Sequence, residues 1–84
     1  MIKALIVEDE SKAQRILQML IKEHFPLINI VAICDNVKDG IEAAEKFVPD
    51  LVFLDIEMPI QSGFKFIEHF NEIDFEIIFT TAYS

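Results

Sequence analysis

The chain has 84 residues, of which 52% are hydrophobic, and its 15 acidic residues outnumber seven basic ones to give a net charge of −8. This length suits one small domain with a core, and the charge repels DNA and RNA, so we expect no nucleic acid on this chain itself. A single cysteine excludes an internal disulfide, and the lack of a signal peptide or long apolar run predicts a cytoplasmic chain outside the membrane.

The first two elements are a predicted strand and a predicted helix. Ile2–Val7 is a short apolar run that is rich in β-branched residues and ends at three acids, which is typical of a buried strand. Ser11 then begins a predicted helix whose inner, apolar stripe includes Ile16 and Leu20. Gln14, three residues after Ser11, predicts a capping box in which the serine hydroxyl caps the first turn. Pro26 ends this helix just after Phe25.

The rest of the chain repeats the alternation of strand and helix. It predicts a strand over 27–34, a turn at Asp35-Asn36 that caps a helix over 37–47, a strand over 51–54 that ends at Asp55, a loop over 56–62, a helix over 63–71 and a strand over 76–81. Strands that are apolar along their whole length are covered on both faces, as in parallel sheets. The order therefore predicts one doubly wound α/β domain.

Acidic side chains follow two strands of this predicted sheet. Glu8 and Asp9 come after the first strand, and Asp55 ends the third. Ligands bind beyond the carboxyl ends of parallel strands, so we expect these carboxylates to meet in one cleft. Three carboxylates repel each other unless a cation or a proton intervenes, and oxygen ligands of this kind favour Mg²⁺. The alternative is three solvated acids at turns.

Three segments of the chain fall at strand ends with a characteristic spacing. They are Ile6-Val7-Glu8-Asp9-Glu10, the run Asp55-Ile56-Glu57-Met58-Pro59 followed by Gly63, and Thr80-Thr81-Ala82. In these segments the chain resembles the receiver domain of two-component response regulators, and the resemblance covers all 84 residues. It implies a flavodoxin-like fold with strand order 2-1-3-4. The segments around Asp55 and Thr81 are also similar to receivers attached to LytTR-type DNA-binding domains.

The resemblance implies a role for each matching residue. Asp55 is the expected phosphoacceptor, which takes a phosphoryl group from a histidine kinase. Asp9 is an expected direct Mg²⁺ ligand, Glu8 acts mainly through water, and the backbone carbonyl of Glu57 supplies another ligand. The hydroxyl of Thr81 is expected to bond the phosphoryl group and report its presence. DNA binding belongs to a separate output domain.

One departure from the family pattern concerns the region after the fourth strand. The family continues there with a helix, a fifth strand and a fifth helix, and a lysine at the end of the fifth strand clamps the phosphoryl group. The resemblance therefore implies that residues 1–84 are the N-terminal, incomplete part of a receiver domain. No lysine of this chain matches that position. Thr80 is expected to face the opposite side of the sheet from Thr81, since strand residues alternate.

Two other functions compete with this interpretation. The first is an interaction module that acts without phosphorylation, because an uncovered fourth strand invites a homodimer or a domain-swapped oligomer. The second is an aspartate-nucleophile phosphatase of the haloacid dehalogenase type. That family places an Asp-x-Asp pattern after its first strand, whereas Asp55 follows the third strand and Glu57 stands two residues later. We therefore do not expect an enzyme.

Overall fold

The fold was analysed in a computed structural model, which describes residues 1–80. Its elements are β1 (Ile2–Val7), α1 (Ser11–His24), β2 (Ile28–Cys34), α2 (Val37–Phe47), β3 (Leu51–Asp55), α3 (Gly63–His69) and β4 (Glu76–Thr80). All seven elements are those the sequence predicts. The boundaries differ by at most two residues, because β2 starts one residue later and α3 ends two residues earlier than expected.

The four strands form one parallel sheet in the order β2-β1-β3-β4. This order confirms the predicted flavodoxin-like topology, with β1 and β3 at the centre. Pairing between β1 and β2 is irregular at one point, since Ala4 pairs with Ile30 while Leu5 pairs with Ala32. Val31 is thus an extra residue in β2, a bulge in an edge strand. The pairing of β3 with β4 is regular throughout.

Helices cover the two faces of the sheet, and each face has its own apolar cluster. The larger cluster lies under α2 and α3, where Leu5, Leu54 and Phe66 are fully buried. The smaller cluster lies under α1 and includes Ile21 and Phe53. The alternation of side chains along β1 and β3 divides each strand between the two clusters, which explains why both strands are apolar throughout.

Two predictions for α1 are wrong. Ser11 is the first residue of the helix and does not cap it; Glu10 takes the cap position without a side-chain hydrogen bond. The side chain of Gln14 instead donates to the carbonyl of Glu8 at 2.6 Å. Ile16 and Leu20, which the helical spacing places on the inner face, are 45% and 44% exposed, because α1 packs through Leu17 and Ile21.

The two ends of α2 have different capping residues. The side chain of Asn36 accepts a hydrogen bond from the backbone N–H of Asp39 at 2.8 Å and caps the first turn, as predicted. At the other end, Val48 takes a left-handed conformation with φ of 47°. Among residues 1–80, no helix has both the length and the apolar character needed to span a membrane.

Candidate functional site

The three predicted acids lie together at the carboxyl edge of the sheet. Val7 pairs with Leu54, so the chain leaves β1 and β3 side by side. Each of Glu8, Asp9 and Asp55 offers one carboxylate oxygen, and these atoms lie within 4.8 Å of one another. The parallel pairing of β1 with β3 therefore joins residues that are more than 45 positions apart in sequence into one cluster.

Two of the three carboxylates are buried, and the backbone holds each of them. Glu8 is 3% exposed and Asp55 is 1% exposed. The N–H of Glu10 donates to Glu8 Oε2 at 3.1 Å, and the N–H of Glu57 donates to Asp55 Oδ1 at 3.0 Å. Asp9 lies half-buried beside them. Buried carboxylates of this kind have fixed orientations, since both their own backbone and their neighbours restrict them.

The pKa of Glu8 is raised in this environment. Burial raises the pKa of Glu8 from 4.5 to about 7, and hydrogen bonding to Asp55 and Asp9 adds to the rise, against an opposing hydrogen bond from Glu10. A carboxylic acid that stays protonated near neutral pH is the expected response to burial beside other acids. A bound cation would reverse this tendency, because it stabilises the ionised form.

The donor set fits a magnesium ion. Mg²⁺ binds oxygen at about 2.0–2.1 Å in octahedral geometry, so neighbouring ligand oxygens lie about 3 Å apart and opposite ones about 4 Å apart. The oxygens of Glu8, Asp9 and Asp55 all lie within 4.8 Å of one another, an upper limit somewhat wider than this range. Two or three carboxylates with waters are the usual protein contribution to such an ion. The cluster therefore has the donor chemistry of a magnesium site.

The loop after Asp55 is held against the end of β3. Gly63 begins α3, and its N–H donates to the carbonyl of Ile56 at 3.0 Å. A Cβ at Gly63 would overlap the Asp55 carbonyl oxygen and lie 3.0 Å from Ile56 Cα. The sequence suggests glycine here for unusual backbone angles, but its φ is not positive. Glycine is needed because two backbone segments approach closely.

Two threonines belong to the predicted end of the fourth strand, and only one of them lies in the part of the chain that the structure describes. Thr81, the predicted phosphoryl-sensing residue, lies outside the described residues. Thr80 pairs with Asp55 across the sheet. Its Oγ1 is buried and makes no hydrogen bond within residues 1–80. The sequence analysis gives Thr80 no role at the site, although a hydroxyl at the end of a strand next to β3, which ends at Asp55, is a signal that could have drawn attention to it.

Comparison with known proteins identifies the family. A profile of the response regulator receiver domain matches residues 4–84. The chain belongs to this family. It is 42% identical over 87 residues to the transcriptional regulatory protein BtsR of Escherichia coli, and 38% identical over 84 residues to an uncharacterized response regulatory protein of Yersinia pestis. Each alignment covers 99% of this receiver chain and 35% of the relative, so the chain spans about a third of their length.

Solved structures support the same fold. A DNA-binding response regulator of the LuxR family from Staphylococcus aureus has a TM-score of 0.82 at 28% identity, and the match covers 99% of this receiver chain and 70% of that one. The N-terminal domain of an uncharacterized protein from Wolinella succinogenes has a TM-score of 0.80 at 27% identity, covering 100% and 67% of the two chains. The chain is thus a two-component signalling domain with a flavodoxin-like fold.

A pocket adjoins the acidic cluster of this receiver. Its volume is about 380 Å³, and its lining includes Asp9 together with Val37, Lys38, Met58 and Ile60. The loops after β1, β2 and β3 surround it, and its walls are mostly apolar. Lys38, on the first turn of α2, is a basic residue that the sequence alone does not connect with the site. The pocket leaves the Asp9 side of the cluster accessible from outside.

Proposed function

We propose that this chain is a phosphoacceptor domain in which Asp55 is phosphorylated by a histidine kinase in the presence of Mg²⁺. The observation that supports this most strongly is the convergence of Asp55, Glu8 and Asp9 at the carboxyl edge of the sheet, with their oxygens within 4.8 Å of one another. Residues 1–84 are, in this proposal, the N-terminal part of a receiver domain. The 67–70% coverage of solved relatives supports that boundary.

Each residue of the proposed site has its own role in the transfer of the phosphoryl group. The N–H of Glu57 holds Asp55 Oδ1, which leaves Oδ2 to attack the phosphorus of a phosphohistidine. The new O–P bond replaces the N–P bond, and the imidazole leaves with its electron pair and takes a proton. Glu8, Asp9, one oxygen of Asp55 and the Glu57 carbonyl would hold Mg²⁺, which neutralises charge on the transferring phosphoryl group. Thr81 would supply the hydroxyl that senses the product.

The proposal also covers a role in transcription and the way in which DNA is bound. The name of BtsR, a transcriptional regulatory protein, supports a role in transcription regulation. The similarity of the segments around Asp55 and Thr81 to LytTR-associated receivers supports a separate DNA-binding output domain of that type. The chain itself carries a net charge of −8, which opposes contact with nucleic acid. In this proposal the chain acts in the cytoplasm and is no enzyme.

The proposal that the chain itself binds no nucleic acid can be tested with labelled duplex DNA. Its fluorescence anisotropy should stay constant when the chain is added at low salt, and a saturable rise would refute this part of the proposal.

Phosphoryl transfer can be tested directly on the chain. Incubation with Mg²⁺ and acetyl phosphate should add the mass of one phosphoryl group, and Asp55→Asn should abolish the addition. Asp74→Asn removes an exposed acid far from the cluster and should leave it intact, so it serves as the matched control. Equal addition to the Asp55→Asn variant would contradict the proposal. So would a lack of addition both to the unsubstituted chain and to a longer chain that includes the rest of the receiver domain.

The second candidate function is an interaction module that assembles without phosphorylation. It is favoured by β4, an edge strand on which Ile78 and Phe79 are 47% and 48% exposed on opposite faces. Apolar residues on both faces are typical of a strand inside a sheet. A homodimer or a domain-swapped oligomer would cover them, and sedimentation of the chain as a monomer at high concentration would exclude both.

A further inference from the structure

The pocket beside the acidic cluster carries one positive charge. Lys38 is exposed on the first turn of α2 and lines this pocket together with Asp9. It is the only basic residue among the described residues that line the pocket. The pocket has a volume of about 380 Å³, so the charges of Lys38 and Asp9 lie on the order of one Debye length apart, about 10 Å at 0.1 M salt.

Within residues 1–80, the ammonium group of Lys38 forms no salt bridge. Two acids lie close to it in sequence, Asp35 and Asp39, and both accept hydrogen bonds from Asn36. The side-chain amide of Asn36 donates to Asp35 Oδ1 at 2.7 Å and to Asp39 Oδ2 at 2.9 Å. The group of residues that caps α2 thus engages both carboxylates and leaves the charge of Lys38 to act on other anions.

A molecule that gives up a phosphoryl group (the phosphodonor) meets unfavourable charge on its way to Asp55. Its phosphoryl oxygens are negative, the chain has a net charge of −8, and three carboxylates lie together at the target. Asp55 itself is 1% exposed, so the donor has to enter through an opening beside the cluster. Surface charges at such an opening set the local concentration of a charged ligand.

We infer that Lys38 is a positioning residue that attracts the anionic phosphodonor to the pocket side of the acidic cluster. This inference rests on the proposed phosphorylation of Asp55. With acetyl phosphate, an oxygen of Asp55 bonds to phosphorus, the bond from phosphorus to the acetate oxygen breaks, and acetate leaves with the electron pair. Lys38 takes no part in these bond changes. Its charge also opposes the approach of Mg²⁺, so it affects the two ligands in opposite directions.

Lys38→Gln tests the effect on the phosphodonor. With saturating Mg²⁺ and limiting acetyl phosphate, the rate of phosphoryl addition, followed by mass spectrometry, should fall about two- to fourfold at low salt. This is the size of a Coulomb effect on a dianion over a distance on the order of 10 Å in water. At about 1 M salt, where the Debye length is about 3 Å, the two chains should react at the same rate. Lys38→Arg keeps the charge and should keep the unsubstituted rate.

The affinity for Mg²⁺ gives a second readout that does not depend on phosphorylation. Lys38→Gln removes a positive charge beside the cluster, so Mg²⁺ should bind about two- to fourfold more tightly at low salt. A substitution that only disturbed the fold would weaken metal binding and slow phosphoryl addition together. Tighter Mg²⁺ binding with slower addition therefore identifies an effect of the Lys38 charge.

Lys46→Gln is the matched control. Lys46 is exposed on the last turn of the same helix, about 12 Å further along its axis, and is not among the residues that line the pocket. Both variants make the net charge more negative by one unit, so a difference between them comes from the position of the charge. Lys46→Gln should leave the rate of addition and the Mg²⁺ affinity close to those of the unsubstituted chain.

Two results would overturn the inference and leave the proposed phosphorylation of Asp55 intact. The first is an unchanged rate or an unchanged or weaker Mg²⁺ affinity in Lys38→Gln at low salt. The second is an equal effect of Lys38→Gln and Lys46→Gln. If only a longer chain with the rest of the receiver domain takes up a phosphoryl group, the same variants are compared in that chain. If neither unsubstituted chain does, the proposed function itself fails, and the inference fails with it.

Discussion

Gly63 lies where the end of β3, at Asp55, meets the helix that follows it. A methyl group at this position would meet only backbone atoms of Asp55 and Ile56, which cannot move without shifting the end of β3. Gly40 is different, since a methyl group there would lie 2.9 Å from a side-chain methyl of Val7, which can adjust slightly. The two glycines therefore have different sensitivities, although each is a single residue at the border of the larger core.

The Gly63→Ala substitution should lower the free energy of unfolding by about 1–3 kcal/mol, the usual cost of overpacking. Gly40→Ala should cost much less, because the gain in helix propensity, about 1 kcal/mol, offsets the contact with Val7. Urea denaturation of the two variants measures both values. Equal losses of stability would show that the approach of Gly63 to the Asp55 backbone is not the constraint described here.

Glu8 gives the fold a pH dependence in the absence of metal. Its pKa is about 7 in the folded chain and 4.5 in its ordinary environment, so between these values the folded state binds more protons than the unfolded state. The free energy of unfolding should therefore fall as pH rises from about 4.5 to about 7. The fall should be on the order of 3 kcal/mol, given about 1.4 kcal/mol for each unit between the two pKa values.

The contribution of Glu8 can be isolated with Glu8→Gln, which keeps the shape of the side chain and cannot ionise. Urea denaturation with a chelator present, at several pH values, should show a smaller decrease in stability for the variant than for the unsubstituted chain. The difference between the two curves is the quantity of interest, since other acids titrate in both proteins. Parallel curves would contradict the raised pKa of Glu8.

At the scale of elements, the end of α2 contains a strained residue. Val48 has a φ of 47°, in the left-handed region that β-branched residues avoid, and its side chain is 66% exposed. Its N–H still donates to the Ala44 carbonyl at 3.0 Å and closes the helix. Glycine is the residue that most often takes this position after a helix.

Val48→Gly should accordingly raise the free energy of unfolding by about 0.5–1 kcal/mol, because it relieves the left-handed strain and removes little packing. Val48→Ala keeps a Cβ and hence most of the strain, so it should change stability much less. Thermal denaturation of both variants separates the backbone effect from the loss of side-chain volume. A loss of stability in Val48→Gly would show that the valine side chain contributes more than its exposure indicates.

The elements themselves were predictable because local signals agreed with the fold. Pro26 ends α1, Asn36 caps α2, and the apolar runs predict strands that are covered on both faces. The start of α1 was not predictable from its capping pattern, because Gln14 donates to the carbonyl of Glu8, which lies before the helix, and not to the predicted cap residue Ser11. The pattern also placed Ile16 and Leu20 inside, since periodicity identifies an apolar stripe and not the width of the surface that covers it.

The site was predictable to the extent that it follows from strand order. Acids at the ends of β1 and β3 must meet if these strands are neighbours, and the sheet pairs them. The sequence singles out Gly63 and places Thr80 at a strand end, but the close approach of Gly63 to the backbone and the burial of the Thr80 hydroxyl depend on three-dimensional packing. The presence of Lys38 at the adjoining pocket depends likewise on how α2 sits beside the loop after β3.

For the whole molecule, the acidic field should matter most at the carboxylate cluster. The net charge of −8 should attract divalent cations to the site proposed at Glu8, Asp9 and Asp55. Salt screens this field, so it should weaken Mg²⁺ binding. Titration with Mg²⁺ at low and at high salt measures the difference, and equal affinities would show that the net charge does not contribute.

The most direct test of the account is a titration of the ¹⁵N-labelled chain with Mg²⁺, followed by the amide signals of Glu8, Asp9, Asp55 and Glu57. We predict saturable shifts at these four residues, loss of the shifts in Asp9→Ala, and unchanged shifts in the control Asp74→Asn. Shifts spread over the acidic surface, or the same binding in Asp9→Ala, would contradict a single magnesium site at the ends of β1 and β3.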